Sequence, residues 1–159
     1  MENMTIEKVL ESASKYLKLE KNINIIKEAY ELASSKHEGQ FRKSGDPYIS
    51  HPLHVAYMLC ELQAGPATVA AGLLHDVVED TDVTLDYVKK QFGNDVASIV
   101  DGVTKISQLK YMTKEKVLAK SHQKILLAMA KDVRVILVKL VDRLHNMRTM
   151  KFQSPEKQR

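Results

Sequence analysis

Six residues constrain this chain most: His75-Asp76-Val77-Val78-Glu79-Asp80. They put four groups able to bind a metal or move a proton directly behind an apolar run, Val69-Ala70-Ala71-Gly72-Leu73-Leu74, that reads as buried helix. Charged groups at the end of a core helix are costly unless they meet partners or a metal. Their spacing suggests how the cost is met. His75 and Glu79 are four residues apart, as are Asp76 and Asp80, so a helix over 67–79 sets each pair one turn apart on a shared face.

The rest of the chain is patterned for helices. Thr5 can cap a first helix over 5–18, and Ile6, Val9, Leu10, Ala13 and Leu17 form its stripe. A second is expected over 24–38, closed by Gly39. Residues 40–48 then turn to loop chemistry, with Arg42 and Lys43 adjacent. Pro52 suits the first turn of a third helix, which ends before Gly65-Pro66. Thr84 and Asn94 open two more, ending near Phe92 and Val103, and 106–113 looks irregular. Helices over 114–131 and 133–151 complete the series. The apolar start of the last one, Val133 to Val141, marks it as a central helix. Ser154-Pro155-Glu156 has the chemistry of another helix start. A longer parent protein is expected on that ground. No strand-rich section and no internal repeat interrupts the pattern, so the fold class is all-α, a compact multi-helix bundle.

Composition narrows the function. A chain of 159 residues with 44% apolar and 28% charged residues suits a single globular domain. Its net charge of +4 favours anionic ligands but is too small to demand nucleic acid. The lone cysteine, Cys60, excludes an internal disulfide and a cysteine-based zinc cage. It sits among Val55, Met58, Leu59 and Leu62 and reads as a core residue. No signal-peptide pattern or membrane-length apolar run is seen, so a cytoplasmic location and no membrane partner are expected.

A metal at the doublet needs further ligands. His51 stands at a helix start, and Asp142 lies within the last helix, where an acid is rarely buried without a partner. Asp142, Asn146 and Thr149 fall on one polar stripe. The competing reading of Asp142 is an ion pair with Arg143 or Arg148, whose spacing fits poorly. His54 reads as a core or rim histidine, His145 as lying off the stripe, and His37 and His122 as surface residues. Two imidazoles and two carboxylates suit a divalent first-row ion such as Mn, Fe or Zn. With open positions for water, such a site is hydrolytic. Glu79 and Asp80 would hold or deprotonate that water, while Arg42 and Lys43 supply fixed charge for a polyanion.

In order, His51, His75-Asp76 and Asp142 resemble the H…HD…D signature of the HD phosphohydrolase superfamily. The stretches 37–45, 75–81, 100–105 and 139–149 are similar to the N-terminal hydrolase domain of bacterial RelA/SpoT-type (Rel) proteins. That resemblance implies an all-α HD-domain fold, with 1–24 as an N-terminal helical region and 25–159 as the hydrolase domain, together one structural unit. It further implies Mn²⁺-dependent removal of the 3′-pyrophosphate from the alarmone (p)ppGpp, in the stringent response. His51, His75, Asp76 and Asp142 match the family's metal ligands, and Glu79 and Asp80 its catalytic pair. Arg42, Lys43, Ser44, Asn146 and Thr149 match its nucleotide-binding positions. The family's synthetase domain is absent from this chain and is expected in a longer parent. The rival readings are an HD nucleotidase for another nucleotide and an alarmone-binding module without turnover.

Overall fold

The computed structural model describes residues 3–108 and 132–149. Among them run α1 (Ile6–Ser14), α2 (Glu20–Lys36), α3 (Ser50–Glu61), α4 (Pro66–Leu74), α5 (Val77–Asp80), α6 (Leu85–Phe92), α7 (Asn94–Gln108) and α8 (Val133–Arg148). The extended pairing among these residues is an isolated bridge, Phe41 with Pro47. The all-α expectation holds. The expected helix at 114–131, His122 and the Ser154-Pro155-Glu156 start lie outside the described residues.

Three helix starts, those of α1, α6 and α8, follow the capping chemistry. Thr5 Oγ1 accepts from the backbone of Lys8 at 3.3 Å, Thr84 Oγ1 from Tyr87 at 3.1 Å, and Asp132 Oδ1 from Arg134 at 3.0 Å. Several ends differ from expectation. α1 stops at Ser14, α2 starts at Glu20, and α7 continues to Gln108 through part of the stretch that looked irregular.

α4 is the centre of the bundle, packed against α2, α3, α7 and α8. Every residue from Thr68 to Leu74 is buried. That uniform burial is what an all-round apolar helix requires. α8, expected to be central, is instead two-faced. Val135, Val138, Val141, Asp142 and His145 face in, while Val133, Leu140 and Met147 are exposed. A continuous apolar run does not reveal its orientation, and here every third or fourth position carries the inward stripe.

The α4 helix does not run unbroken to Glu79. It stops at Leu74, His75 and Asp76 form a turn, and α5 is a single turn beyond them. The His75 imidazole is the cause at hand: its Nδ1–H donates to the carbonyl of Gly72 at 2.6 Å, competing with the helical ladder. Both residues keep right-handed helical torsions, so the polar groups still emerge from the end of the central helix.

Two glycines set the helix spacing around this point. A Cβ on Gly72 would come within 2.7 Å of Leu59 Cδ1 on α3. On Gly102 of α7 it would come within 2.6 Å and 3.0 Å of the two methyls of Val135 on α8. The Leu59 tip can rotate, whereas a β-branched valine has little freedom at χ1. Overpacking costs about 1–3 kcal/mol and Gly→Ala in a helix returns about 1 kcal/mol of propensity. Urea unfolding should therefore find Gly102→Ala destabilised by up to about 2 kcal/mol and Gly72→Ala close to neutral.

Candidate metal centre

Three elements bring ligand groups to one buried point. His51 sits in the first turn of α3, His75 caps α4, and Asp142 lies in the middle of α8. All three are buried, and one ligand atom from each lies within 4.8 Å of the others. His51 Nε2 is 2.6 Å and His75 Nε2 3.2 Å from Asp142 Oδ1. Asp76 meets the cluster from its side, with Oδ2 3.1 Å from His75 Nε2.

The surroundings prepare these groups. The Gly72 carbonyl takes the Nδ1 proton of His75 and leaves Nε2 as the nitrogen facing the cluster, the tautomer a metal requires. Asp76 Oδ2 also accepts from the Tyr48 hydroxyl at 2.6 Å. Asp142 Oδ2 accepts from Lys139 Nζ at 3.2 Å, and that ammonium donates to Ser107 Oγ at 3.0 Å. Lys139, one turn earlier on the same helix, is the cation of Asp142; Arg143 is exposed.

Charge at the centre is tightly balanced. Burial opposes ionisation of both carboxylates, yet the neighbouring imidazoles hold Asp76 and Asp142 well below the usual carboxylate range. Burial also opposes the imidazolium form, and it lowers His51. At His75 the charges of Asp76 and the bonds to Asp142 outweigh burial and raise it. Two ionised carboxylates, Asp142 buried and Asp76 partly buried, thus concentrate negative potential between two imidazoles. A divalent cation fits that donor set by charge and ligand type, and would compete with the proton on His75.

Glu79 and Asp80 follow the doublet on α5 and are exposed at the rim. Partial burial, then the negative charge of Asp76, push both carboxyls up from their ordinary values.

The basic loop is a structured turn. Arg42 N–H donates to Asp46 O at 2.8 Å, Gly45 N–H to Arg42 O at 2.9 Å, and Tyr48 N–H to Gln40 O at 2.8 Å. Gly45 takes φ +92°, which favours glycine. From this turn Arg42 reaches across to α8. Its Nη2 donates to Asn146 Oδ1 at 2.9 Å and to Thr149 Oγ1 at 3.3 Å. Arg42, Ser44, His54, His145 and Thr149 line a cleft of about 280 Å³ beside the buried cluster. Ser44 Oγ–H donates to Asp46 at 3.0 Å, and Lys43 is exposed on the turn. The structure therefore joins Arg42, Ser44 and Thr149 around one cleft, with Asn146 behind Arg42; Lys43 does not line it.

Three residues gain importance that the sequence did not assign. His145 was expected off the polar stripe, but three residues from Asp142 is as near a neighbour as four. It is buried, with Nδ1 2.7 Å from His51 Nδ1 and 3.2 Å from Arg42 Nη1. Burial and the nearby cationic groups push it down to about 3. His37 was expected on the surface and is buried, its ring 4.7 Å from that of Tyr48. It lies just past the end of α2, where the helical pattern no longer sets its direction. Tyr48 carries no periodic signal at all. His54 is half-buried on the cleft rim, its ring 4.5 Å from His145.

The HD domain model matches residues 29–159 of this chain. Over 152 residues the chain is 45% identical to a guanosine-3′,5′-bis(diphosphate) 3′-pyrophosphohydrolase of Spiroplasma citri, covering 96% of this chain and 20% of that protein. It is 46% identical over 140 residues to the bifunctional (p)ppGpp synthase/hydrolase SpoT of Escherichia coli K12, covering 88% and 20%. The chain thus spans about a fifth of the length of these relatives. A solved metazoan orthologue of SpoT, described as hydrolysing ppGpp and acting in starvation responses, is 31% identical, with a TM-score of 0.66 over 84% of this chain and 77% of that one. The chain belongs to the HD-domain family, in the group it shares with SpoT-type proteins.

Proposed function

We propose that this chain is a metal-dependent hydrolase that cleaves the 3′-pyrophosphate from (p)ppGpp, taking up one water and giving GDP or GTP and pyrophosphate. The observation that carries the reading is the meeting of His51, His75 and Asp142 within 4.8 Å, beside a cleft whose wall holds a fixed guanidinium. The relatives named for the same hydrolysis support the substrate.

The metal we propose is Mn²⁺, held by His51, His75, Asp76 and Asp142. When bound, a divalent ion supplies Lewis acidity, making a coordinated water more acidic and a phosphoryl oxygen more electrophilic. Glu79 and Asp80 then accept the proton of the attacking water, a task for which carboxyls of raised pKa are better bases than ordinary ones. Arg42, Lys43 and Ser44 receive the nucleotide from the turn, and Asn146 and Thr149 from α8. Arg42 is fixed before any nucleotide arrives by its bonds to Asn146 and Thr149, which lowers the entropy cost of binding a polyanion. In a longer parent a synthetase domain would supply the opposing activity.

The direct test is pyrophosphate release from ppGpp with Mn²⁺ against EDTA. Release with the metal and none with the chelator is expected, and His75→Ala should lose the rise in Tm that Mn²⁺ gives the parent chain. Turnover of other nucleotides in place of ppGpp would point to a different HD nucleotidase. Binding of ppGpp without turnover would leave only a binding module.

Asp80→Asn should keep metal and nucleotide binding but hydrolyse roughly 10²–10⁴ times more slowly, the usual worth of a general acid–base group. A full rate in that variant, measured at saturating ppGpp, removes Asp80 from proton transfer.

A further inference from the structure

His145 lies between the buried cluster and the cleft. Its ring meets that of His51 edge to edge, with centroids 4.9 Å apart and planes at 25°, and lies against that of His54 at 4.5 Å and 19°. Only 5% of the residue is exposed. Its Nδ1 faces two partners, Arg42 Nη1 at 3.2 Å and His51 Nδ1 at 2.7 Å.

Without an ion, His51 Nε2, 2.6 Å from the Asp142 carboxylate, must carry a proton; once a metal takes that nitrogen, the two contacts at His145 Nδ1 set where the ring protons are. A guanidinium nitrogen can only donate. Nδ1 of His145 therefore carries its lone pair and accepts from Arg42, and the ring proton is on Nε2, which is buried with no hydrogen-bond partner among the described residues. Two ring nitrogens 2.7 Å apart need one proton between them. His145 has none to give at Nδ1, so His51 Nδ1 donates. In the neutral imidazole that a metal ligand must be, the lone pair of His51 is then on Nε2. That is the nitrogen aimed at Asp142 Oδ1 and the centre. For His75 the same task falls to a backbone carbonyl, that of Gly72. For His51 it falls to a side chain whose own tautomer is set by Arg42.

We infer that His145 is a positioning residue for the metal ligand His51, fixing its tautomer and ring orientation through a hydrogen-bond relay that begins at Arg42. The inference rests on the metal centre proposed above. It adds that the turn receiving the nucleotide and the nitrogen receiving the metal are wired together. Outer-shell partners of this kind are worth roughly 10–100-fold in metal affinity.

The test measures binding of Mn²⁺ alone to the chain, by titration calorimetry and by the electron paramagnetic resonance of free Mn²⁺. His145→Phe keeps a ring in the stack but offers no acceptor, and should weaken Mn²⁺ binding roughly 10–100-fold. His145→Asn puts an amide oxygen near the place of Nδ1 and should restore most of the affinity. His51→Ala, the comparator, should abolish binding at this site. If His51→Ala loses the metal while His145→Phe binds as tightly as the parent, the relay is wrong and the metal centre stands. If His51→Ala itself binds as tightly as the parent, the metal reading falls and the relay with it. Thermal unfolding in EDTA establishes that the variants fold. Should His145→Phe not fold, His145→Asn is compared with His145→Gln, whose oxygen reaches the place of Nε2 instead. Equal Mn²⁺ affinity of those two overturns the inference, and weaker binding by the glutamine variant supports it.

Discussion

The rest of the molecule depends on keeping two ionised carboxylates in an apolar helical bundle, Asp142 within it and Asp76 at its edge. Removing such a charge from water costs several kcal/mol even after relaxation. Compensation must come from groups at hydrogen-bonding distance, and here it comes from every side. His51 and His75 flank Asp142, Lys139 reaches its second oxygen, and Tyr48 and His75 hold Asp76. Few of these partners are neighbours in sequence. The cluster is satisfied only when α3, α4, α8 and the turn before α3 are all in place, so its formation is tied to completion of the fold.

The bundle is arranged to make that meeting accurate. α4 is buried on all sides and ends at the doublet, so its neighbours fix the position of His75 from several directions. Gly102 lets α8 approach α7 more closely than a side chain would permit, and Gly72 leaves room for the Leu59 tip of α3 against α4. Asp142 is carried on the helix whose approach Gly102 governs. Distances near 3 Å between side chains from separate helices require this kind of spacing, because close-packed interiors leave little slack to correct an error.

Charge is divided between the two sides of the site. On the buried side the carboxylates are partnered, while the Nε2 atoms of His37 and His145 are buried without a hydrogen-bond partner among the described residues. The rim carries Glu79, Asp80 and Lys43, all exposed, and Arg42, braced against α8. Groups that would handle water or phosphate thus stand where solvent and substrate can reach them. Groups that would hold an ion stand deeper, His51, His75 and Asp142 being buried and Asp76 partly so. His145 belongs to both sides, touching Arg42 and His51 through a single nitrogen.

Local chemistry carried much of this in the open. Thr5 and Thr84 cap helices as expected, because a side-chain oxygen next to free N–H groups bonds them whatever the tertiary context, and Asp132, which had not been singled out, does the same for α8. The cluster members His51, His75 and Asp142 were readable because acids and imidazoles in apolar helices demand an explanation wherever they occur. Direction was harder to read. The Val133–Val141 run concealed its own outward face, and His37 turned inward once α2 had ended. The break at His75-Asp76 came from one imidazole bonding one carbonyl, a contact that helical periodicity does not encode.

By itself, then, the sequence determined that the chain is helical, where most helices begin and which side chains need compensation, since these follow from backbone hydrogen bonding and the cost of burying charge. Only the tertiary structure decided who compensates whom. The Arg42 bridge to Asn146 and Thr149, the Tyr48 bond to Asp76 and the placement of His145 against His51 join residues from 28 to 107 positions apart. Such pairings are settled by how the helices pack, because a hydrogen bond depends on ångström-scale distance and direction, which no local pattern of residue types specifies.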